Sequence, residues 1–194
     1  TGCAGFIGSS LVDRLIEAGH EVVGFDNFST GRKGFLNKAL KSNYFKLFIA
    51  DIKDIGNHYE KIKGSSLLFH LAANADVRFG LNHPRKDLYE NTINTFEVLE
   101  AMRKASLNNL IFASTGSVYG NATKIPTKED ESFPIQTSLY GASKVSAESF
   151  ISAYCEGYKF NAAVCRFVSL MGPRYTHGHV VDFVQSLKIN STEL

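Results

Sequence analysis

The chain has 194 residues, 44% of them hydrophobic and 21% charged, with 21 Lys+Arg against 19 Asp+Glu for a net charge of +2. That composition excludes an intrinsically disordered chain, and no apolar run approaches the ~20 residues that a bilayer-spanning helix needs. So small a net charge gives no electrostatic basis for a nucleic-acid or anionic-membrane partner.

The chain opens on a glycine-rich turn, Thr1-Gly2-Cys3-Ala4-Gly5-Phe6-Ile7-Gly8, rather than on a basic-then-apolar leader. Ser9 to Ala18 follows with Leu11, Leu15 and Ile16 at helical spacing, and Gly19 is positioned to end that helix. Glu21 to Asp26 reads as a strand, Ser29 to Asn43 as a basic polar loop or short helix, and Tyr44 to Ala50 and Ser66 to Ala72 as further strands. Pro84 opens a long helix that spaces Leu88, Thr92, Phe96, Leu99 and Met102 along one face. Asn109 to Ser114 is a strand, and Asn121 to Ser138, with Pro126 and Pro134, an irregular loop. Tyr140 to Tyr158 is a helix with Ala147, Phe150, Ile151 and Tyr154 inward; Ala162 to Ser169 is a strand and Val180 to Leu187 a last helix.

Several strands are near-continuous apolar runs, as in a parallel sheet covered on both faces. Alternation of strand and helix predicts an α/β fold with a doubly wound parallel sheet. A phosphate-binding glycine turn follows a strand in such folds, so a first strand is expected upstream of Thr1 and the chain reads as a fragment. Asn190 to Leu194 stops without a closing element, in keeping with that expectation.

The glycines Gly2, Gly5 and Gly8 fall at i, i+3 and i+6. The first permits a tight turn, the second a close backbone approach to a pyrophosphate, and the third close packing of helix on strand. The helix that follows offers unpaired N–H groups to phosphate oxygens. The next strand ends on Asp26, about 20 residues on, where a carboxylate accepts hydrogen bonds from ribose hydroxyls and repels a 2′-phosphate. NAD is therefore favoured over NADP, with Arg32 and Lys33 as a mild counter-signal read as a solvated loop. Asp51-Ile52 closes the next strand, where the acid can face an adenine amino group or cap a helix; spacing does not choose between these.

Tyr140-Gly141-Ala142-Ser143-Lys144 sets a phenol and an ammonium one helical turn apart on one face. A phenol titrates near ~10. A neighbouring ammonium, together with the cationic nicotinamide ring, favours the phenolate, which can take a proton from a substrate hydroxyl. Thr115 ends a strand at the edge where ligands bind in such sheets, with its hydroxyl available to the same oxygen. A bare Tyr-Lys pair at this spacing is common as a surface contact, but alongside a dinucleotide turn and a strand-terminal Thr the catalytic reading is preferred.

With these motifs in order, the chain resembles the extended short-chain dehydrogenase/reductase family, in its NAD-dependent epimerase/dehydratase branch, and is most similar to UDP-glucose 4-epimerases. The resemblance rests on TGCAGFIG, DNFSTG (from Asp26), the Asp51-Ile52 pair, HLAANADVR (from His70), STGSVYG (from Ser114), YGASK (from Tyr140) and GPR (from Gly172). It implies catalytic roles for Thr115, Tyr140 and Lys144. It also implies a cofactor site in which the glycine turn with Phe6 and Ile7 meets the pyrophosphate, and Asp26 and Asn27 the ribose. Asp51 and Ile52 then meet the adenine, while Leu71, Ala72, Ala73, Asn91, Tyr140, Lys144 and Val168 line the cleft. The domains implied are an NAD-binding Rossmann domain over 1–168 and the beginning of a substrate domain over 169–194.

The implied reaction is C4 epimerisation of a UDP-hexose through a 4-keto sugar. Alternatives are a 4,6-dehydratase, a reductase or another epimerase of the family, or a non-catalytic NAD-binding protein. Dehydratases carry an acid pair after the Thr, whereas this chain has Gly116-Ser117, which disfavours dehydration. Ser169 and Met171 depart from the family's usual Asn and Tyr and bear on substrate identity. A homodimer and a cytoplasmic location are also implied. Three cysteines, Cys3, Cys155 and Cys165, without CxxC spacing, argue against a disulfide scaffold or zinc site and for a reducing compartment. His177, His179 and Asp182 fit no metal template, so no metal is expected.

Overall fold

The computed structural model describes residues 1–77, 79–131, 135–176 and 178–189. Arg78, Pro134, His177 and Asn190 to Leu194, which figure in the sequence reading, lie outside the described residues. Helix α1 (Phe6–Glu17) starts directly after Gly5, earlier than the apolar spacing predicts, because the glycine turn itself supplies the extended N-cap. Gly19, at φ +83°, donates its N–H to the carbonyl of Ile16 and closes the helix.

Strands β1 (Val22–Asp26) and β2 (Phe45–Ile49) pair in parallel, Val22 opposite Phe45. The basic segment between them forms two short 3-10 turns, Lys33–Leu36 and Ala39–Lys41, that bury Leu36 and Ala39. Strands β3 (Leu68–His70), β4 (Asn109–Thr115) and β5 (Asn161–Phe167) form a second parallel sheet in the order β3-β4-β5. The described strands thus make two parallel sheets. A cleft of about 850 Å³ lies between β1 and β3, lined by Cys3, Val12, Phe25, Leu68 and Phe69 among others. The backbone of Thr1 and Gly2 bridges it: the Thr1 amine donates to Phe69 O at 2.8 Å, and the Gly2 N–H to Phe25 O at 2.9 Å.

After β3 come α2 (Phe79–Asn82) and a longer helical run of α3 (Pro84–Asp87), a π segment Leu88–Ile93, and α4 (Asn94–Ala105). The π segment revises the predicted face. Its wider turn shifts the phase of the helix, so Leu88 is 50% exposed while Asn91 is buried; Thr92, Leu99 and Met102 are buried as predicted. Helix α5 (Leu139–Tyr158) is capped by Ser138, whose Oγ accepts from Gly141 N at 2.9 Å. Ala147, Ile151 and Tyr154 face inward as predicted, but Phe150 is 41% exposed and stands edge-on to Phe96 at 5.7 Å. Helix α6 (His179–Ile189) ends the described chain, and no helix among the described residues is long and apolar enough to cross a membrane.

Two cores result. The larger packs Val98, Leu99, Met102, Leu110, Phe112 and Ile151 between α4, α5 and the three-stranded sheet. The smaller packs Cys3, Ala4, Val12, Leu36, Ala39 and Phe45 under α1. Burial pushes the Cys3 thiol up to about 11, so it is a neutral packing group. His70 is buried, with Nδ1 against Thr1 Oγ1 at 2.7 Å and Nε2 against Thr95 Oγ1 at 3.0 Å; burial holds its pKa well below the usual imidazole value, so the ring is neutral.

Candidate active site

All five strands run parallel within their sheets, and the residues singled out in the sequence gather at their carboxyl ends: Asp26 closes β1, Leu71 to Ala73 follow β3, Thr115 closes β4, and Val168 follows β5. The glycine turn is dictated by backbone contact. Gly2 has φ +68°, and a Cβ there would lie 2.7 Å from Ala72 N. A Cβ on Gly8 would lie 2.0 Å from Gly2 O, so no side chain fits. At Gly5 the nearest atom would be 3.4 Å away, an ordinary contact. The protein's own packing therefore does not demand a glycine at position 5, in contrast to Gly2 and Gly8.

Asp26 is held from both sides. Its Oδ2 accepts from Ala4 N and its Oδ1 from Phe28 N, each at 2.8 Å. Each carboxylate oxygen keeps a second lone pair for a ligand hydroxyl. Beside it is a cleft of about 90 Å³, lined by Gly2, Gly5, Asn27, Ile52, Ala72 and Ala73 among others. Asp51 caps the 3-10 helix Ile52–Lys61, its Oδ1 accepting from Lys53 N at 3.1 Å, and its Oδ2 accepts from Asn27 Nδ2 at 3.2 Å. The cap and the cleft are thus compatible, with Ile52 rather than the carboxylate lining the cavity.

On the β4 side, Thr115 Oγ1 accepts from Ser117 N at 3.1 Å, capping the short 3-10 turn Gly116–Tyr119. The Thr115 hydroxyl stands close enough to the Tyr140 phenol to act on its pKa. Burial raises the Tyr140 phenol, the nearby Thr115 hydroxyl pulls it down, and Asp87 pushes it up. Burial dominates, so in the protein alone the phenol is protonated. Lys144 is buried, donates from Nζ to Ala113 O at 2.9 Å and sits 4.7 Å from the Phe112 ring centre. Burial lowers its ammonium to about 8, against a smaller upward pull from Glu148. Val168 is 85% exposed, yet its methyl would meet a Cβ on Gly116 at 3.1 Å, so it borders the mouth of the same site.

Asn91 is buried and ties two walls together: its Oδ1 accepts from Asn74 N at 2.9 Å and its Nδ2 donates to Ser143 Oγ at 3.0 Å. Sequence reasoning missed the groups around it. Asn74 Nδ2 donates to Asp87 Oδ1 at 2.7 Å. Ser114 Oγ donates to Glu148, which pairs with Arg166 at 2.8 Å; Arg166 also reaches the Tyr119 hydroxyl at 2.7 Å and Glu129 O at 2.9 Å. Glu148 stands one turn beyond Lys144 on the same face of α5, a spacing that could have marked it. Nothing local marks Arg166. Among the described residues no group of three or more His, Cys, Asp or Glu is placed to hold a metal ion.

Comparison with known proteins agrees with this arrangement. The model of the NAD dependent epimerase/dehydratase family matches residues 1–191. The chain is 38% identical over 178 residues to a UDP-glucose 4-epimerase of Mycolicibacterium smegmatis, covering 90% of this chain and 56% of that protein. It is similar to the crystal structure of a UDP-galactose 4-epimerase at a TM-score of 0.86 and 38% identity, over 100% of this chain and 63% of that one. It also superimposes on a Thermus thermophilus UDP-glucose 4-epimerase in complex with NAD, at a TM-score of 0.76 and 31% identity, over 85% and 52% of the two chains. The chain spans about half the length of the curated relatives it matches. A Rossmann-type α/β fold, a sterically required glycine turn, a strand-terminal acid and a Thr-Tyr-Lys set occur together in one chain, and it belongs to the NAD dependent epimerase/dehydratase family.

Proposed function

We propose that this chain is the NAD-binding part of a nucleotide-sugar 4-epimerase acting on a UDP-hexose. The observation that carries the reading is the gathering of Thr115 at the end of β4 with the buried Tyr140 and Lys144 of α5, followed by Gly116-Ser117, where no acid pair for dehydration stands. The residues fit NAD: Gly8 and Gly2 admit no side chain, Gly5 leaves approach room, and Asp26 keeps fixed acceptors for ribose hydroxyls while repelling a 2′-phosphate. Phe6 and Ile7 offer N–H groups at the start of α1, and Leu71, Ala72 and Ala73 form the apolar wall.

When bound, NAD supplies a reversible acceptor for the hydrogen of a sugar carbinol carbon. The chain's own residues handle the proton. Tyr140 Oη takes it from the sugar hydroxyl and returns it, with Thr115 Oγ1 holding the same oxygen. Lys144, largely protonated at neutral pH, supplies positive charge that favours the phenolate, and the cationic cofactor adds to it. This environment opposes the burial that keeps Tyr140 neutral in the protein alone.

Residues 1–168 are read as the Rossmann domain and 169–194 as the start of a substrate-binding domain. The exposed Phe183, Val184 and Leu187 of α6 support that reading, as a surface for further chain to cover. A cytoplasmic homodimer completes the proposal. Exposed Leu88, Tyr89, Phe150 and Tyr158 on the two long helices supply apolar area for a pairing face.

The test uses the complete gene product, incubated without added NAD with UDP-glucose and separately with UDP-galactose, the sugars then resolved by chromatography. Interconversion is the expected result. Bound NAD on denaturation with neither sugar converted would overturn the substrate and keep the cofactor. Absence of both, with NAD added as well, would overturn the enzyme.

A further inference from the structure

The segment after β5 turns back over α1, the helix that carries the glycine turn. Tyr175 N donates to Gly172 O at 3.0 Å and closes a tight turn. Gly172 lies against the Phe6 ring so closely that a Cβ there would stand 2.9 Å from the ring edge. The Tyr175 ring meets Phe6 edge-on, centroids 5.5 Å apart and planes at 63°. Arg174 Nη2 donates to Asp13 Oδ2 at 2.5 Å across 161 residues of sequence, and its guanidinium lies 5.9 Å from the Phe35 ring. Phe6 and Asp13 are seven residues apart, two turns along one face of α1, so a single short segment grips that helix at both points.

We propose that residues 172–175 form a strap fastening α1 to the β5 side of the molecule, and that the Arg174–Asp13 pair sets how long a bound dinucleotide is retained. This rests on the NAD reading above. Three features carry it. First, α1 is otherwise thinly packed: Val12, in the smaller core, is its buried large apolar residue among those described. Second, both partners of the ion pair are sheltered, their side chains 13% and 24% exposed for Asp13 and Arg174, so the attraction is less screened than at an open surface. Third, the strap leaves from beside Val168, which borders Gly116, and ends on Phe6, in the turn at the other end of the site. A ligand reaching from the glycine turn to Thr115 and Tyr140 lies within the span that the strap bridges. For it to leave, α1 and the β5 side must separate, and the pair resists that.

The experiment measures NAD release from the complete gene product. The protein is loaded with NAD and freed of excess, and the nucleotide lost with time is quantified by chromatography. Thermal melts are recorded in parallel. Arg174→Met and Asp13→Asn are each expected to speed release by roughly tenfold, and the double variant by no more than either alone, as for two residues acting through one contact. Arg174→Lys, which keeps the charge, restores part of the retention. Tyr175→Leu removes the ring contact and leaves the ion pair. It is expected to speed release by about threefold, and it carries the test where the charge variants do not fold. Release at the wild-type rate from folded variants overturns the strap and leaves the NAD reading standing. A wild-type protein that takes up no NAD overturns both.

Discussion

The two sheets build their shares of the site from different materials. The β1–β2 half works with backbone: Gly2 and Gly8 are fixed by contacts too close for a Cβ, and Asp26 is oriented by two main-chain N–H groups. The β3–β5 half works with buried side chains: Thr115, Tyr140, Lys144, Asn91 and Glu148 are buried, and hydrogen bonds tie Asn91 to Ser143, Lys144 to the Ala113 carbonyl and Glu148 to Ser114. The first half tolerates no added atom at two positions. The second tolerates no lost polar partner, because a buried group left unpaired costs about 1–3 kcal/mol.

The sharpest way to divide the halves is Tyr140→Phe in the complete gene product. It is expected to lower turnover by about 10²–10⁴-fold while leaving NAD content unchanged, since it removes the proton carrier without touching the turn. Steady-state rates together with nucleotide content check it. Near-normal activity would sink the assignment of Tyr140.

Next in size are the two cores. Phe112, fully buried beneath Lys144, is expected to cost about 3–5 kcal/mol when changed to Ala. Leu36→Ala, in the smaller core beside short 3-10 turns that can settle inward, is expected to cost about 2–3 kcal/mol. Urea unfolding of both variants measures the difference, and equal losses would mean that the smaller core is no more yielding than the larger.

Lys144→Met tests how far the second half sacrifices stability for function. Burial lowers the Lys144 ammonium from 10.5 to about 8, so the folded state holds this proton less tightly than the unfolded chain. Its charge therefore costs stability below pH 8, and that cost disappears as pH rises from about 8 towards 10.5. The variant is expected to be more stable than wild type at pH 7 by about 2–3 kcal/mol, and by much less at pH 10, with turnover lost. Unfolding of both proteins at the two pH values checks it. A gap independent of pH would remove the titration as the cause.

The smallest effect is expected at the rim of the same half. Glu100 is held down to about 2 by bonds from Arg103 and Tyr154. Its contribution is present above about pH 4.5 and is lost as pH falls towards 2, but the pair is partly solvated, so Glu100→Gln is expected to cost under about 1 kcal/mol at pH 7. Melting at pH 7 and pH 3 should show the gap narrowing in acid.

The legibility of the sequence follows the same division. Features that act through local geometry were readable: the glycine triplet, Asp26 at a strand end, and Tyr140 with Lys144 one turn apart. Features that depend on a change of phase or a distant partner were not. Leu88 was assigned inward because a regular helix puts it there, and the π segment turns it out. Phe150 fits the inward spacing of α5 yet sits at its edge against Phe96. The Asn74–Asp87 bond and the Arg174–Asp13 pair join segments whose approach no periodicity encodes. A doubly wound parallel sheet without its first, central strand was expected, and the described strands form two parallel sheets flanking the cleft between β1 and β3.

Arg166 has a consequence for how this sequence can drift. Its flat guanidinium is shared among a carboxylate, a phenol and the main-chain oxygen of Glu129. The last of these contacts is to backbone, and every residue type offers the same carbonyl. The irregular loop is thus anchored without requiring any particular side chain at position 129, and its letters can change while its attachment survives. Position 166 has no such freedom, because an ammonium on a flexible stem lacks the planar fork that meets three partners at once.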